Sequence, residues 1–118
     1  MTGRMIKNLI EVRQGDSFAV VVHLLQNGTD VDLSDSIGRM QVRKIDGTLV
    51  WALEAAVISA AEGKILFEIT PELSGIEAGD YQCDIQIEMP DNSVNTIFPS
   101  NVNQTGIFRI TKQITKEN

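Results

Sequence analysis

Cysteine is nearly missing from this 118-residue chain: Cys83 stands alone, so no disulfide can form within it. That excludes the disulfide-stapled class of small secreted domains and implies a reducing compartment, or a fold that does not need the bond. Aromatic residues make up only 5% of the chain, so a core must be built mainly from Val, Ile, Leu and Met. Basic residues are few, with ten Lys and Arg against sixteen Asp and Glu, a net charge of −6. The basic residues are scattered, and only Arg39, Arg43 and Lys44 lie close together. A nucleic-acid partner is not expected, because duplex binding needs a basic face that displaces counterions. No run approaches the roughly 20 apolar residues of a membrane span. Met1–Arg13 lacks the apolar core of a signal peptide, so synthesis in the cytoplasm with no membrane partner is expected. No linker, repeat or low-complexity segment divides the chain. One domain is expected over residues 1–118, with its core at about 6–112 and a frayed tail at 113–118.

What the chain does have is alternation. Tyr81, Cys83, Ile85, Ile87 and Met89 share one parity, and Gln82, Asp84, Gln86 and Glu88 share the other. A period of two places one set on a core face and the other in water, which describes a half-buried strand. The same reading gives a strand over Ile6–Arg13 and a long one over Ser17–Gln26, with Phe18, Val20, Val22 and Leu24 on one face. Gly38–Lys44 places Met40 and Val42 inward and Arg39, Gln41 and Arg43 outward. Leu49–Glu54 follows, then Ile65–Thr70, Val94–Phe98 and Gly106–Lys112. Asn27-Gly28 and Asp46-Gly47 are hairpin turn signals. Val31–Ser36 reads as a connector, and the small-residue run Ala55–Ala61 stays unassigned. Thr70-Pro71-Glu72-Leu73-Ser74-Gly75 reads as one helical turn, with Thr capping, Pro at the first position and Gly at the stop. Short strands with turns every 8–12 residues predict an all-β fold, an antiparallel β-sandwich of about seven or eight strands.

Two resemblances sharpen this expectation. The Gly79-x-Tyr81-x-Cys83 opening resembles the tyrosine corner of immunoglobulin-like sandwiches, where a Tyr sits two residues before the strand's Cys. The order of motifs is also similar to that of the N-terminal domain of upper baseplate proteins of tailed phages, and of related immunoglobulin-like phage tail proteins. It runs from Gly15-Asp16-Ser17-Phe18 and Asp32-Leu33-Ser34 through Arg39-Met40-Gln41-Val42-Arg43 and Asp46-Gly47. It continues with Gly63-Lys64-Ile65-Leu66-Phe67-Glu68-Ile69, Thr70-Pro71, Ala78-Gly79-Asp80-Tyr81 and Gly106-Ile107-Phe108-Arg109-Ile110. The likeness covers about Lys7 to Thr111. It implies an immunoglobulin-like sandwich that docks on the distal core of a tail and helps carry receptor-binding parts. The chain ends soon after the sandwich, without an extension to hold a receptor-binding protein, so a small tail or head accessory protein is an equal expectation.

No residue set argues for chemistry. Asp30, Asp32 and Asp35 have a hint of metal spacing, but no Gly or late Glu completes a calcium loop, so turn and cap duty is expected. His23, the sole histidine, lies mid-strand without an acid–nucleophile set and reads as a strand-face or interface residue. Cys83 sits on the apolar parity beside Asp84 and reads as a buried core thiol. No catalytic residue, metal or cofactor is expected.

The internal hint of function is apolarity on both faces. Val21 and Leu25 lie opposite the core parity of their strand, Val50 and Ala52 lie opposite Trp51, and the Ala55–Ala61 run adds to this surplus. Trp51 packs in the core or anchors a partner, a choice that parity leaves open. Surplus apolar surface marks contact with other chains, unless the Val31–Ser36 connector covers it. Arg39, Arg43 and Lys44 form either a solvated, ion-paired face or a patch for an acidic neighbour. The expected partner contacts are therefore Trp51, Val21, Leu25, Arg39 and Arg43. The expected function is that of a virion structural protein, in a phage tail or baseplate, that assembles with copies of itself and with other virion proteins. A capsid decoration protein is the alternative, and a module binding host carbohydrate a further one.

Overall fold

The computed structural model describes residues 4–6, 8–99 and 104–112. The chain runs β1 (Arg4–Ile6), β2 (Leu9–Arg13), β3 (Phe18–His23), β4 (Leu25–Gln26), β5 (Thr29–Asp30), β6 (Ile37–Arg43), β7 (Leu49–Glu54), β8 (Ala56–Ser59) and β9 (Lys64–Ile69). The helical turn α1 (Pro71–Ser74) follows, then β10 (Gly79–Glu88), β11 (Val94–Phe98) and β12 (Ile107–Thr111). The fold is all-β, in the arrangement of an immunoglobulin-like sandwich. A seven-stranded sheet runs β1-β2-β12-β10-β6-β7, with β11 also on β10. A three-stranded sheet runs β3-β9-β8, and β4-β5 is a separate hairpin. All pairs are antiparallel except β2 with β12, which are parallel.

The turn chemistry explains the connections. Asn27 and Gly28 both have positive φ (53° and 80°), as a two-residue hairpin loop between β4 and β5 requires. Two further hairpins share one design. In Lys44–Thr48 and Met89–Ser93, the first N–H donates to the fifth carbonyl and the fourth N–H to the first carbonyl. An Asp at the third position accepts the N–H two residues on, at 2.9 Å in both Asp46 and Asp91. Gly47 and Asn92 take the positive φ that follows. Thr70 caps α1 by accepting from the Leu73 N–H, with Pro71 at the first helical position. Tyr81 donates its hydroxyl to the Glu77 carbonyl at 2.6 Å, which is the tyrosine corner expected from its place in the strand.

The inner faces of the seven-stranded and three-stranded sheets meet in one core. It holds Ile10, Val12, Phe18, Val20, Met40, Val42, Ile65, Phe67, Ile69, Cys83, Ile85, Ile87, Phe98, Phe108 and Ile110, with Leu33 from the connector. The sheets pinch at Gly38, where an added Cβ would lie 2.8 Å from the Ile65 Cδ1. Strand β10 buries Cys83, Ile85 and Ile87 as the alternation predicted. Its other parity is half-buried rather than open to water, because neighbouring strands flank it on both edges.

Several expected strands divide. Ile6–Arg13 is split between β1 and β2, which pair as a hairpin. Ser17–Gln26 breaks after His23, because β9 begins at Lys64 and offers no ladder beyond it. Leu24 donates instead to Gly63 and accepts from Val31, and the chain forms the β4-β5 hairpin. Ala55–Ala61 contributes the edge strand β8, bulged between Val57 and Ser59. With these splits and the added β5 and β8, the described residues hold twelve strands where seven or eight were expected. The expected frayed tail, 113–118, lies outside the described residues.

Strands β11 and β12 occupy the same edge of β10 in turn. β11 pairs with Ile85–Glu88, and β12 with Gly79–Gln82. At their junction the Cys83 N–H donates to the Gly106 carbonyl at 2.9 Å. A Cβ on Gly106 would collide with the Cys83 carbonyl oxygen and crowd Phe98 and Pro99. Gly106→Ala should therefore cost about 2–3 kcal/mol, as overpacking against backbone does. The readout is a lower urea midpoint at unchanged slope. An unmoved midpoint would show that this junction yields freely.

Candidate interaction surfaces

Pairing places the outward residues of the three-stranded sheet in rows. Ala19 faces Glu68, Val21 faces Leu66, and Leu66 faces Ala56 on its other side. His23 faces Lys64, which faces Ser59. The central row is thus entirely apolar. Val21 is 55% exposed, and Val57 and Ile58 at the outer edge are 54% and 53% exposed. Leu25, in the β4-β5 hairpin just past this sheet, is 55% exposed. The connector does not cover this surface. Its Leu33 turns into the core, and Asp32 is occupied locally, accepting from both the N–H and the hydroxyl of Ser34. Those two bonds hold the Asp32 carboxyl below the usual carboxylate range.

Trp51 goes the other way. Its ring stands edge-on to Phe108, with centroids 5.5 Å apart and planes at 86°. Its indole N–H donates to the Leu73 carbonyl at 3.1 Å, tying β7 to α1. A register shift beside Val42 pairs Trp51 with Val42 but Leu49 with Arg43. That turns Leu49 outward although sequence parity placed it with Trp51. All four Phe side chains are buried, and Trp51 and Tyr81 are half-buried.

The large sheet carries ion pairs and polar side chains on its outer face, with Ile37, Leu49 and Val94 exposed among them. Arg39 donates to Glu88 at 2.7 Å. Arg43 donates to the Gln41 side chain and to the Gly47 carbonyl, each at 3.0 Å. Both guanidinium groups are therefore engaged within the chain. Further along, Arg109 holds Asp80 at 2.7 Å and lies 3.9 Å from Glu11, a row across β10, β12 and β2. The Arg109 hydrogen bond keeps the Asp80 carboxyl below its ordinary value.

Where β11 gives way to β12, the same face carries a hollow of about 420 Å³ lined by Gln41, Arg43, Gln82, Asp84, Thr96 and Thr105, among others. Burial raises the Asp84 carboxyl above its ordinary value, and Arg43 only partly offsets this. Cys83, directly beneath, is buried, and desolvation with the Asp84 charge pushes its thiol far up. Both effects disfavour the thiolate that a nucleophilic role would need. His23 bonds Asp30 at 2.8 Å on an exposed part of the surface. Among the described residues no group of three His, Cys, Asp or Glu comes together to hold a metal.

The structure thus brings Val21 together with Leu66 and Ala56, sets Leu25 nearby, and keeps Trp51, Arg39 and Arg43 apart from them. Sequence reading included Val57 and Ile58 in the surplus apolar run Ala55–Ala61, but missed Leu66 as surface and Lys64 and Glu68 as its flanks. The parity of Lys64, Leu66 and Glu68 was the available signal.

No family model matches the chain, and no curated protein matches it. Among solved structures it is similar to CopC from Methylosinus trichosporium OB3b, with TM-score 0.53 and 12% identity over 91% of this chain and 87% of that one. It also aligns with murine CRIg, with TM-score 0.41 and 9% identity over 95% of this chain and 97% of that one. The CopC likeness bears on the fold alone.

Two outcomes follow from these surfaces. Trp51→Phe removes the N–H that serves the Leu73 carbonyl and should lower stability by about 1–3 kcal/mol. It should leave the size distribution of the protein unchanged, and altered association would make Trp51 an interface residue. Asp84 carries a raised value in the folded state, so the native protein holds its proton longer than the unfolded chain does. Stability contributed by this group is present at low pH and is lost as pH rises through the folded value. Asp84→Asn should then stabilise the protein at neutral pH, with the gain vanishing below the ordinary carboxylate range. Equal stabilisation at all pH values would contradict the burial argument.

Proposed function

We propose that this chain is a structural module of a tailed-phage particle, a tail or baseplate component. It acts by non-covalent docking to copies of itself and to neighbouring virion proteins rather than by chemistry. The observation that carries this reading is the apolar row Val21–Leu66–Ala56, with Val57 and Ile58 beside it, left open on the three-stranded sheet. A protein of this size does not need such a row for its core, which is complete on the other face of the same strands. The edges support the same reading. Among the described residues β8 and β7 each have a neighbour on one side only, so unpaired backbone groups stand ready for another chain. The phage context rests on the resemblance of the ordered motif series alone; the turns and the tyrosine corner at the junctions of the sandwich support the fold. The inward placement of every Phe ring favours protein docking over a carbohydrate site, which would present aromatic plates to sugar rings.

Docking through a row this small gives weak single contacts, and symmetry multiplies them into a stable ring or collar. The test joins sedimentation of the purified chain across concentration with mass spectrometry of purified particles. A concentration-dependent oligomer, present at a few or a few dozen copies per particle, is the expected result. Hundreds of copies would move the protein to the head. A chain that stays monomeric and is absent from particles would overturn the proposal.

A further inference from the structure

Resting on the self-assembly part of that reading, we infer that the face of the three-stranded sheet binds a second copy of itself through an isologous, two-fold contact. In this contact Lys64 of each copy enters the acidic hollow beside Glu68 of the other. The argument starts from strand β9. Lys64, Leu66 and Glu68 all point outward, since Ile65, Phe67 and Ile69 between them are buried. Lys64 and Glu68 are four residues apart, about 13 Å along an extended strand. Among the described residues neither takes part in an ion pair. Between them lies the apolar row of Val21, Leu66 and Ala56.

The two ends of the face differ in shape as well as sign. At the Glu68 end a hollow of about 710 Å³ is lined by Asp16, Ser17, Ala19, Glu68, Thr70 and Pro71, with Phe18 at its floor. It carries two carboxylates and no basic group among its lining residues. At the other end Lys64 stands beside His23, whose ring is held by Asp30. The face is therefore a cation, an apolar stripe and an acidic recess in line.

A surface with that order is its own complement. A two-fold axis in the plane of the face and perpendicular to β9 lays Leu66 over Leu66. It brings each Lys64 over the other copy's Glu68, so that residue i meets j and j meets i. A parallel overlay would stack Lys64 on Lys64 and Glu68 on Glu68, and like charges reject it. The charges thus select the register while the stripe supplies the favourable burial. A heterologous partner would need the reverse order on its own surface. A second copy has it by construction, despite the net charge of −6 that otherwise drives copies apart. The face is small, which places one such contact at the weak, concentration-dependent end of protein association.

Charge reversal tests this in the full chain. Sedimentation velocity on the wild type should show a monomer–dimer equilibrium that weakens with salt. Lys64→Glu and Glu68→Lys, made singly, should each weaken the dimer about tenfold or more, the effect of setting like charges against each other. The double reversal should restore it. Among the described residues neither group has an ion pair to lose, so thermal midpoints should hold, and Val21→Asp should abolish the dimer without moving the midpoint either. A double variant as weak as the singles would overturn the inference. An oligomer indifferent to all four variants would overturn this face and leave self-assembly standing through another. A wild-type monomer still present in particles would overturn this contact and leave docking to other virion proteins. A monomer absent from particles would remove both.

Discussion

Strand β10 holds three neighbours with its two edges. Along Gln82–Glu88 it pairs with β6, and on the other edge it takes β12 over Gly79–Gln82 and β11 over Ile85–Glu88. Ladder bonds of this kind fix register, because a slip of one residue would turn Cys83, Ile85 and Ile87 out of the core and Asp84 and Gln86 into it. The Tyr81 hydroxyl pins the start of the strand to Glu77, and Gly106 lets β12 join beside Cys83. Once β10 is placed, β6 carries β7, and β12 carries β2 and β1. The large sheet is in this sense the consequence of one strand's alternation.

The two sheets then play different parts. The large sheet is finished on its outer face by polar ladders, from Arg39 with Glu88 to Arg109 with Asp80 and Glu11. Exposed pairs of this sort add little stability, and among them Ile37, Leu49 and Val94 stand as separate exposed apolar side chains. The small sheet has three strands and no such finish. Its inner face supplies Phe18, Val20, Ile65, Phe67 and Ile69 to the core, while its outer face keeps a hydrophobic row with a charge at either end. Both sheets hold the core, and the docking proposed for this chain rests on the outer face of the smaller one.

How far the sequence could be read depended on whether a feature was local. The alternation of β10, the Asn27-Gly28 turn, the Asp46-Gly47 hairpin and the Thr70-Pro71 cap are set by neighbours in sequence, and all were legible. The division of Ser17–Gln26 was not, because it depends on where β9 begins. The outward turn of Leu49 was not, because it follows a register shift between β6 and β7. Of the expected contacts, Val21 and Leu25 were legible as surplus apolar residues on the wrong parity. Trp51 was ambiguous because both parities of its strand are apolar, and its contacts, Phe108 and the Leu73 carbonyl, lie far off in sequence.

By itself the sequence determined the class of fold, the strand that anchors it and the aliphatic character of the core. These follow from period-two patterning and turn chemistry, which act over a few residues. The tertiary structure alone decided which apolar residues remain outside. It also put Lys64, a hydrophobic stripe and Glu68 in line beside Asp16, and opened a hollow where β11 hands over to β12. Those arrangements depend on which strands lie side by side, and pairing between distant segments is set by the packing of the whole rather than by any one stretch of chain.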